Sequence, residues 1–105
     1  MIFSTLFESL PESVQKVVRE VAHVAKPKKI ILFGSRARGD ARQNSDFDIA
    51  VSERSCSADE WNRFVVNLEQ EALTLYKIDL VELEKLGDDY QKNISTEGKT
   101  LYESG

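Results

Sequence analysis

At 105 residues, 41% hydrophobic and 30% charged, the chain has the balance of one globular domain (1–105) and too little apolar material for a second. Its 14 Lys+Arg against 18 Asp+Glu leave a net charge of −4, which excludes a global field drawing it to nucleic acid or an anionic membrane. The lone Cys56 excludes an intrachain disulfide and a cysteine-built metal cage. The apolar start, Met1 to Glu8, lacks the basic flank of a secretory signal. No apolar run nears the ~20 residues of a membrane span, so a cytoplasmic protein with no membrane contact is expected.

In chain order, residues 2–8 allow a short helix. From Pro11, a residue that favours the first helical turn, Val14, Val17, Val18, Val21, Ala22 and Ala25 recur at helical spacing until Pro27 ends the run. Lys29-Ile30-Ile31-Leu32-Phe33 is a β-rich apolar run closed by Gly34, as in a strand buried on both faces. Arg36 to Ser45 reads as a short helix and a loop, and Phe47 to Val51 as a second strand. Ser57 and Glu60 form a capping box ahead of an apolar helical face made by Trp61, Phe64, Val65, Leu68, Ala72 and Leu75. Lys77 to Leu83 is a third strand. Leu86, Tyr90 and Ile94 mark a last helix ended by Gly98, with Lys99 to Tyr102 as an extended tail. The expected architecture is an α/β sandwich on a small mixed sheet. Tyr76, Tyr90 and Tyr102 are expected to pack, and His23 to lie at the surface. Between Lys26 and Arg42 the only acid is Asp40 among six basic residues, which suggests one anion-binding patch.

Asp46 and Asp48 stand two apart on the second strand, so both side chains take one face while Phe47, Ile49 and Val51 take the other. Asp79, between Ile78 and Leu80, faces away from its apolar neighbours. If the two strands are adjacent, three carboxylates converge. At an effective dielectric near 20, each close pair of like charges costs on the order of 4 kcal/mol, so cations or protons must compensate. Hard divalent ions with oxygen ligands suit the set. Taken alone, an Asp-x-Asp at a strand entrance is better read as solvated. Gly34-Ser35 likewise opens a helix after a buried strand, where backbone N–H groups and a hydroxyl can receive an anion. Alone it is better read as a strand-ending glycine with a capping serine.

Together the pieces are more specific: Ile30-Ile31-Leu32-Phe33-Gly34-Ser35, ten residues, Asp46-Phe47-Asp48, then Ile78-Asp79-Leu80. With Arg36-Ala37-Arg38-Gly39, Ser45-Asp46 and the closing Glu97-Gly98 to Leu101-Tyr102, the chain resembles a minimal nucleotidyltransferase (MNT) of the DNA polymerase β-like superfamily over nearly its full length. The resemblance implies an α/β (α+β) fold, with a mixed sheet of three or four strands flanked by helices. It also implies a magnesium-dependent enzyme. Gly34 and Ser35 would cradle the β- and γ-phosphates of ATP. Asp46, Asp48 and Asp79 would be catalytic and hold two Mg2+ ions, and Asp79 would orient, or take a proton from, the attacking hydroxyl. Arg36 and Arg38, and less directly Arg42, are nucleotide-binding candidates because guanidinium groups match phosphate oxygens.

The catalytic fold uses up the chain, so the acceptor surface is expected from another polypeptide. The family's habit points to a HEPN-domain helical toxin in a hetero-oligomer, neutralised by AMP transfer to a tyrosine, with the chain as antitoxin. Two other readings stand beside it: an antitoxin acting by contact alone, and an enzyme modifying a small molecule. Direct nucleic-acid binding is not expected, because the sequence offers no long basic channel.

Overall fold

In a computed structural model of the protein, described for residues 2–71 and 74–104, the helices start where the sequence supplies caps. α1 (Thr5–Glu8) is one turn, capped by the Ser4 hydroxyl accepting from the Phe7 amide at 3.3 Å. α2 (Glu12–Ala25) follows Pro11 and ends at Lys26, whose φ of 46° takes the chain out of the helix before Pro27. α4 (Ala58–Glu71) follows α3, the single turn Ser35–Arg38. It opens on the expected capping box. The Glu60 amide donates to Ser57 Oγ at 3.2 Å, and the Ser57 amide donates to Glu60 Oε1 at 3.4 Å. α5 (Asp88–Glu97) is the last helix.

The strands are β1 (Ile2–Phe3), β2 (Lys29–Phe33), β3 (Phe47–Ser52), β4 (Ile78–Glu82) and β5 (Lys99–Glu103). They form one sheet in the order β1-β5-β2-β3-β4, antiparallel except for the parallel pair β3 and β4. The sheet thus has five strands where three or four were expected. Two short segments account for the difference. Lys99–Glu103 is no peripheral tail: it lies between β1 and β2 with Leu101 wholly buried. Ile2-Phe3 pairs with β5 before the chain turns into α1, a strand too short to carry a period-2 signal.

The sheet has a core on each face. On one, Val14, Val17 and Val21 of α2 and Trp61 of α4 pack with Ile30, Leu32, Phe47, Ile49, Val51 and Leu101. Each large aliphatic side chain so buried contributes about 1.5–3 kcal/mol. The smaller core on the other face joins Ile31, Phe33 and Ala50 to Leu83 and to Ile94 of α5. That explains why β2 reads as continuous hydrophobic sequence: its alternate residues serve two cores.

Other expectations need adjustment. Leu75 is fully exposed beyond the described end of α4, because the chain has already turned toward β4 and helical spacing no longer directs it. Ala72 lies outside the described residues. The basic run does not form one patch. Lys26, Lys28 and Lys29 stand at the start of β2, where Lys28 and Lys29 pair with Glu53 and Glu103. Arg36 and Arg38 stand past its end, a strand length away. Among the described residues, no helix is long and apolar enough to cross a membrane.

Candidate active site

The site is assembled where β2 ends and β3 begins. Phe33 pairs with Asp48 across the antiparallel ladder, so Gly34 leaves the sheet directly beside the Asp48 carboxylate. Gly34 has φ 72° and ψ −155°, a region essentially restricted to glycine. A Cβ there would collide with the Asp48 side chain, lying 3.1 Å from its Cγ. Glycine is therefore required twice over, by backbone conformation and by the carboxylate lodged against it.

The turn after it is short. The Ala37 and Arg38 amides donate to the Gly34 carbonyl at 3.1 and 3.0 Å, and the Gly39 and Asp40 amides to the Ser35 carbonyl at 3.0 and 3.2 Å. A single turn develops little macrodipole. An anion at this turn would therefore be held by the Ser35 hydroxyl, local amides and Arg38 rather than by a long helix.

Asp48 and Asp79 are register partners in the parallel β3–β4 pair. Register neighbours lie about 4.8 Å apart and share a face. Ile78 and Leu80 turn to the α2–α4 core, leaving Asp79 on the face of Asp48. Asp46, one residue ahead of β3, takes that face by alternation, and Lys77 pairs with it at 3.9 Å. Burial first, then the charges of Asp79 and Asp46, raise the Asp48 carboxyl above the usual aspartate range; Arg38 and Lys77 offset this only in part.

The donor set is all carboxylate oxygen, and its members repel one another, so it fits a hard divalent cation. Among the described residues, no three acidic, histidine or cysteine side chains come together as a group that could hold a metal ion, so Asp46, Asp48 and Asp79 share a face without converging as the sequence reading expects.

A cavity of about 420 Å3 opens over this corner, floored by Gly34, Ser35 and Asp48, with Arg38 at its rim. Its far wall is α5, through Tyr90, Asn93 and Glu97. Arg38 bridges the mouth, 3.4 Å from Asp40 and 3.9 Å from Glu97. A second cavity, of about 480 Å3, lies between α4 and β4, where Val65, Leu68 and Leu80 contribute to an apolar lining. Asp79 lines this second cavity, and the Gly34-Ser35 turn lines only the first.

Arg36, expected among the nucleotide ligands, does not line this cavity. Its guanidinium stacks on Phe47 at 4.2 Å and lies 5.5 Å from the Tyr76 ring centroid. Its Nη2 donates to the carbonyls of Gln43 and Ser45 at 3.0 and 2.9 Å. Nε is buried without an oxygen partner, against those aromatic faces. Arg36 thus ties down the loop that delivers Asp46. Sequence proximity to the turn cannot distinguish it from Arg38, since alternate positions of one helical turn point in different directions. Arg36→Ala is expected to destabilise the fold by about 2 kcal/mol, having lost a buried cation–π contact and charged hydrogen bonds. ATP affinity should fall far less than on removal of Arg38. Urea denaturation and calorimetric titration of both variants check this, and the reverse ranking in affinity would return Arg36 to the nucleotide site.

Tyr90 is the residue most altered from its sequence reading. It is 53% exposed, meets Phe33 edge-on at 6.3 Å, and lines the cavity instead of the core. The available signal was the spacing of Tyr90, Asn93 and Glu97, which puts an aromatic, an amide and a carboxylate on one helical face beside buried Ile94.

Residues 15–105 match the family described as "Polymerase beta, Nucleotidyltransferase". A relative from Methanocaldococcus jannaschii, named "Putative protein adenylyltransferase MJ0604", is 32% identical over 102 residues, which cover 84% of this chain and 97% of the relative. A crystal structure of a toxin–antitoxin with AMP-PNP is similar at TM-score 0.66 and 26% identity, over 90% of this chain and 75% of that one. A toxin–antitoxin MntA–HepT structure is similar at TM-score 0.58 and 25% identity, over 96% and 74% of the two chains.

Proposed function

The chain belongs to the Polymerase beta nucleotidyltransferase family and is a nucleotidyltransferase, and from that premise we propose that it is a magnesium-dependent protein adenylyltransferase. It transfers AMP from ATP to a tyrosine hydroxyl of a HEPN-domain partner and so acts as an antitoxin. The observation that carries the reading is the register pairing of Asp48 with Asp79 beside the glycine-only Gly34 turn. The M. jannaschii relative's name supports protein as the acceptor class. The toxin–antitoxin structures, one with AMP-PNP, support ATP as donor and a toxin as partner.

In this reading the Gly34 backbone, free of a Cβ, lets the triphosphate approach closely, and the Ser35 hydroxyl donates to its terminal oxygens. Arg38 swings from Asp40 and Glu97 onto the phosphates, exchanging carboxylates for a better-matched anion. Asp46 and Asp48 would hold the nucleotide-associated magnesium and share a second ion with Asp79, and such ions would supply charge stabilisation to the attacking and leaving oxygens. Asp79 accepts a hydrogen bond from the acceptor hydroxyl, aligns it and takes its proton as the oxygen attacks. The hydroxyl oxygen then bonds to the α-phosphorus, the bond to the β-phosphate oxygen breaks, and pyrophosphate leaves. Lys77, 3.9 Å from Asp46, neutralises part of that carboxylate's charge.

The test is transfer of label from α-labelled ATP, with magnesium, to a HEPN-domain partner protein supplied with this chain. Label on that protein's tyrosine, absent with Asp79→Asn, supports the reading. Tight binding of the partner without any label would sink it and favour an antitoxin that acts by contact alone.

A further inference from the structure

The wall of the cavity opposite the phosphate turn has no packing role that explains its composition. α5 is held to the sheet by Ile94, which is buried with Ile31 and Phe33. The residues flanking Ile94 on the cavity side are Tyr90, Asn93 and Glu97, one helical face read at spacings of three and four. Tyr90 is an anomaly as a packing residue: 53% of it is exposed although it is one of the chain's larger side chains. Phe33 meets it nearly perpendicularly, at 85° and 6.3 Å, bracing the ring by its edge and leaving area for another group. Asn93 is exposed, and no hydrogen bond of its amide is formed among the described residues, so donor and acceptor are both free to face the cavity.

We infer that this face of α5 is the nucleobase subsite, with Tyr90 stacking on a purine and Asn93 reading its edge. The inference rests on the nucleotide site proposed above and adds what selects the base. An aromatic ring with an open face stacks on any base, so Tyr90 supplies affinity. An amide supplies discrimination, because its paired donor and acceptor match the amino and ring-nitrogen groups of adenine. The cavity's 420 Å3 spans from Gly34 to Asn93, so one ligand can engage both the phosphate turn and α5. The chain therefore divides the work: the turn and carboxylates recognise any triphosphate, and α5 favours ATP.

Calorimetric titration of the full chain with Mg2+ and three probes, ATP, GTP and inorganic tripolyphosphate, tests this. Tyr90→Ala should weaken ATP at least about tenfold, the usual scale of losing one base stack. It should leave tripolyphosphate unchanged, and Tyr90→Phe should bind ATP like the unaltered chain. Asn93→Ala should narrow the preference for ATP over GTP. Equal binding of ATP and tripolyphosphate by the unaltered chain would overturn the base subsite while leaving the phosphate site standing. So would Tyr90→Ala weakening both ligands alike, since the ring would then be supporting the turn. Binding of neither ligand by the unaltered chain would remove the nucleotide site itself and this subsite with it.

Discussion

Gly34→Ala is expected to abolish AMP transfer while leaving the protein folded. The new methyl group would occupy the place of the Asp48 carboxylate, whose Cγ lies 3.1 Å from the position of a Cβ. The carboxylate can swing aside more readily than a backbone can move, so the damage falls on the site. A non-glycine residue at φ 72°, ψ −155° adds strain of about 1–3 kcal/mol. A domain of this size typically has 5–15 kcal/mol to lose. Transfer should drop by at least about a thousandfold, the equivalent of ~4 kcal/mol at the transition state. Labelled-ATP assays paired with far-ultraviolet circular dichroism check the two halves. A folded Gly34→Ala protein retaining a tenth of the activity would show that Asp48 need not sit against the turn.

Asp48→Asn should give the opposite pairing of effects: activity lost on a similar scale, yet greater stability in metal-free buffer. The Asp48 carboxyl is raised by burial and by the carboxylates of Asp79 and Asp46. The sign follows from linkage. A carboxyl that holds its proton more tightly when folded makes folding less favourable as pH climbs from the ordinary aspartate value through the raised one. The cost is then constant at higher pH. With chelator present, the unaltered chain should therefore gain stability on mild acidification through that window, and Asp48→Asn should lack this part of the slope. At neutral pH in chelator the amide variant should therefore melt at the higher temperature of the two. Magnesium with ATP should reverse the order, because a ligand that binds only the intact site stabilises only the intact fold. An amide variant less stable than its parent in chelator would mean that Asp48 is a structural anchor rather than a charge awaiting a cation.

Strand periodicity puts Asp46 and Asp48 on one face and aspartate is an unusual guest between Ile78 and Leu80, yet each motif alone reads as ordinary, and only the family resemblance joins them to the Gly-Ser turn as a candidate site. The capping box of α4 was plain by itself, since its two partners are local and their hydrogen bonds need nothing distant. Arg36 and Arg38 illustrate the limit. They are two residues apart on one turn, with the same side-chain chemistry. Only the aromatic faces of Phe47 and Tyr76, supplied by other segments, determine that the first anchors a loop while the second rims the cavity.

By itself the sequence determined the α2 and α4 helices, the strands around Gly34 and Asp48, and the two-sided burial of β2, because each is written in spacing within a few residues. The tertiary structure alone decided that β3 and β4 run parallel with Asp48 opposite Asp79, that β5 completes a five-stranded sheet, and that Tyr90 faces a cavity. Those outcomes depend on which distant segments meet, and pairing between strands is chosen by the whole core rather than by the residues of either strand.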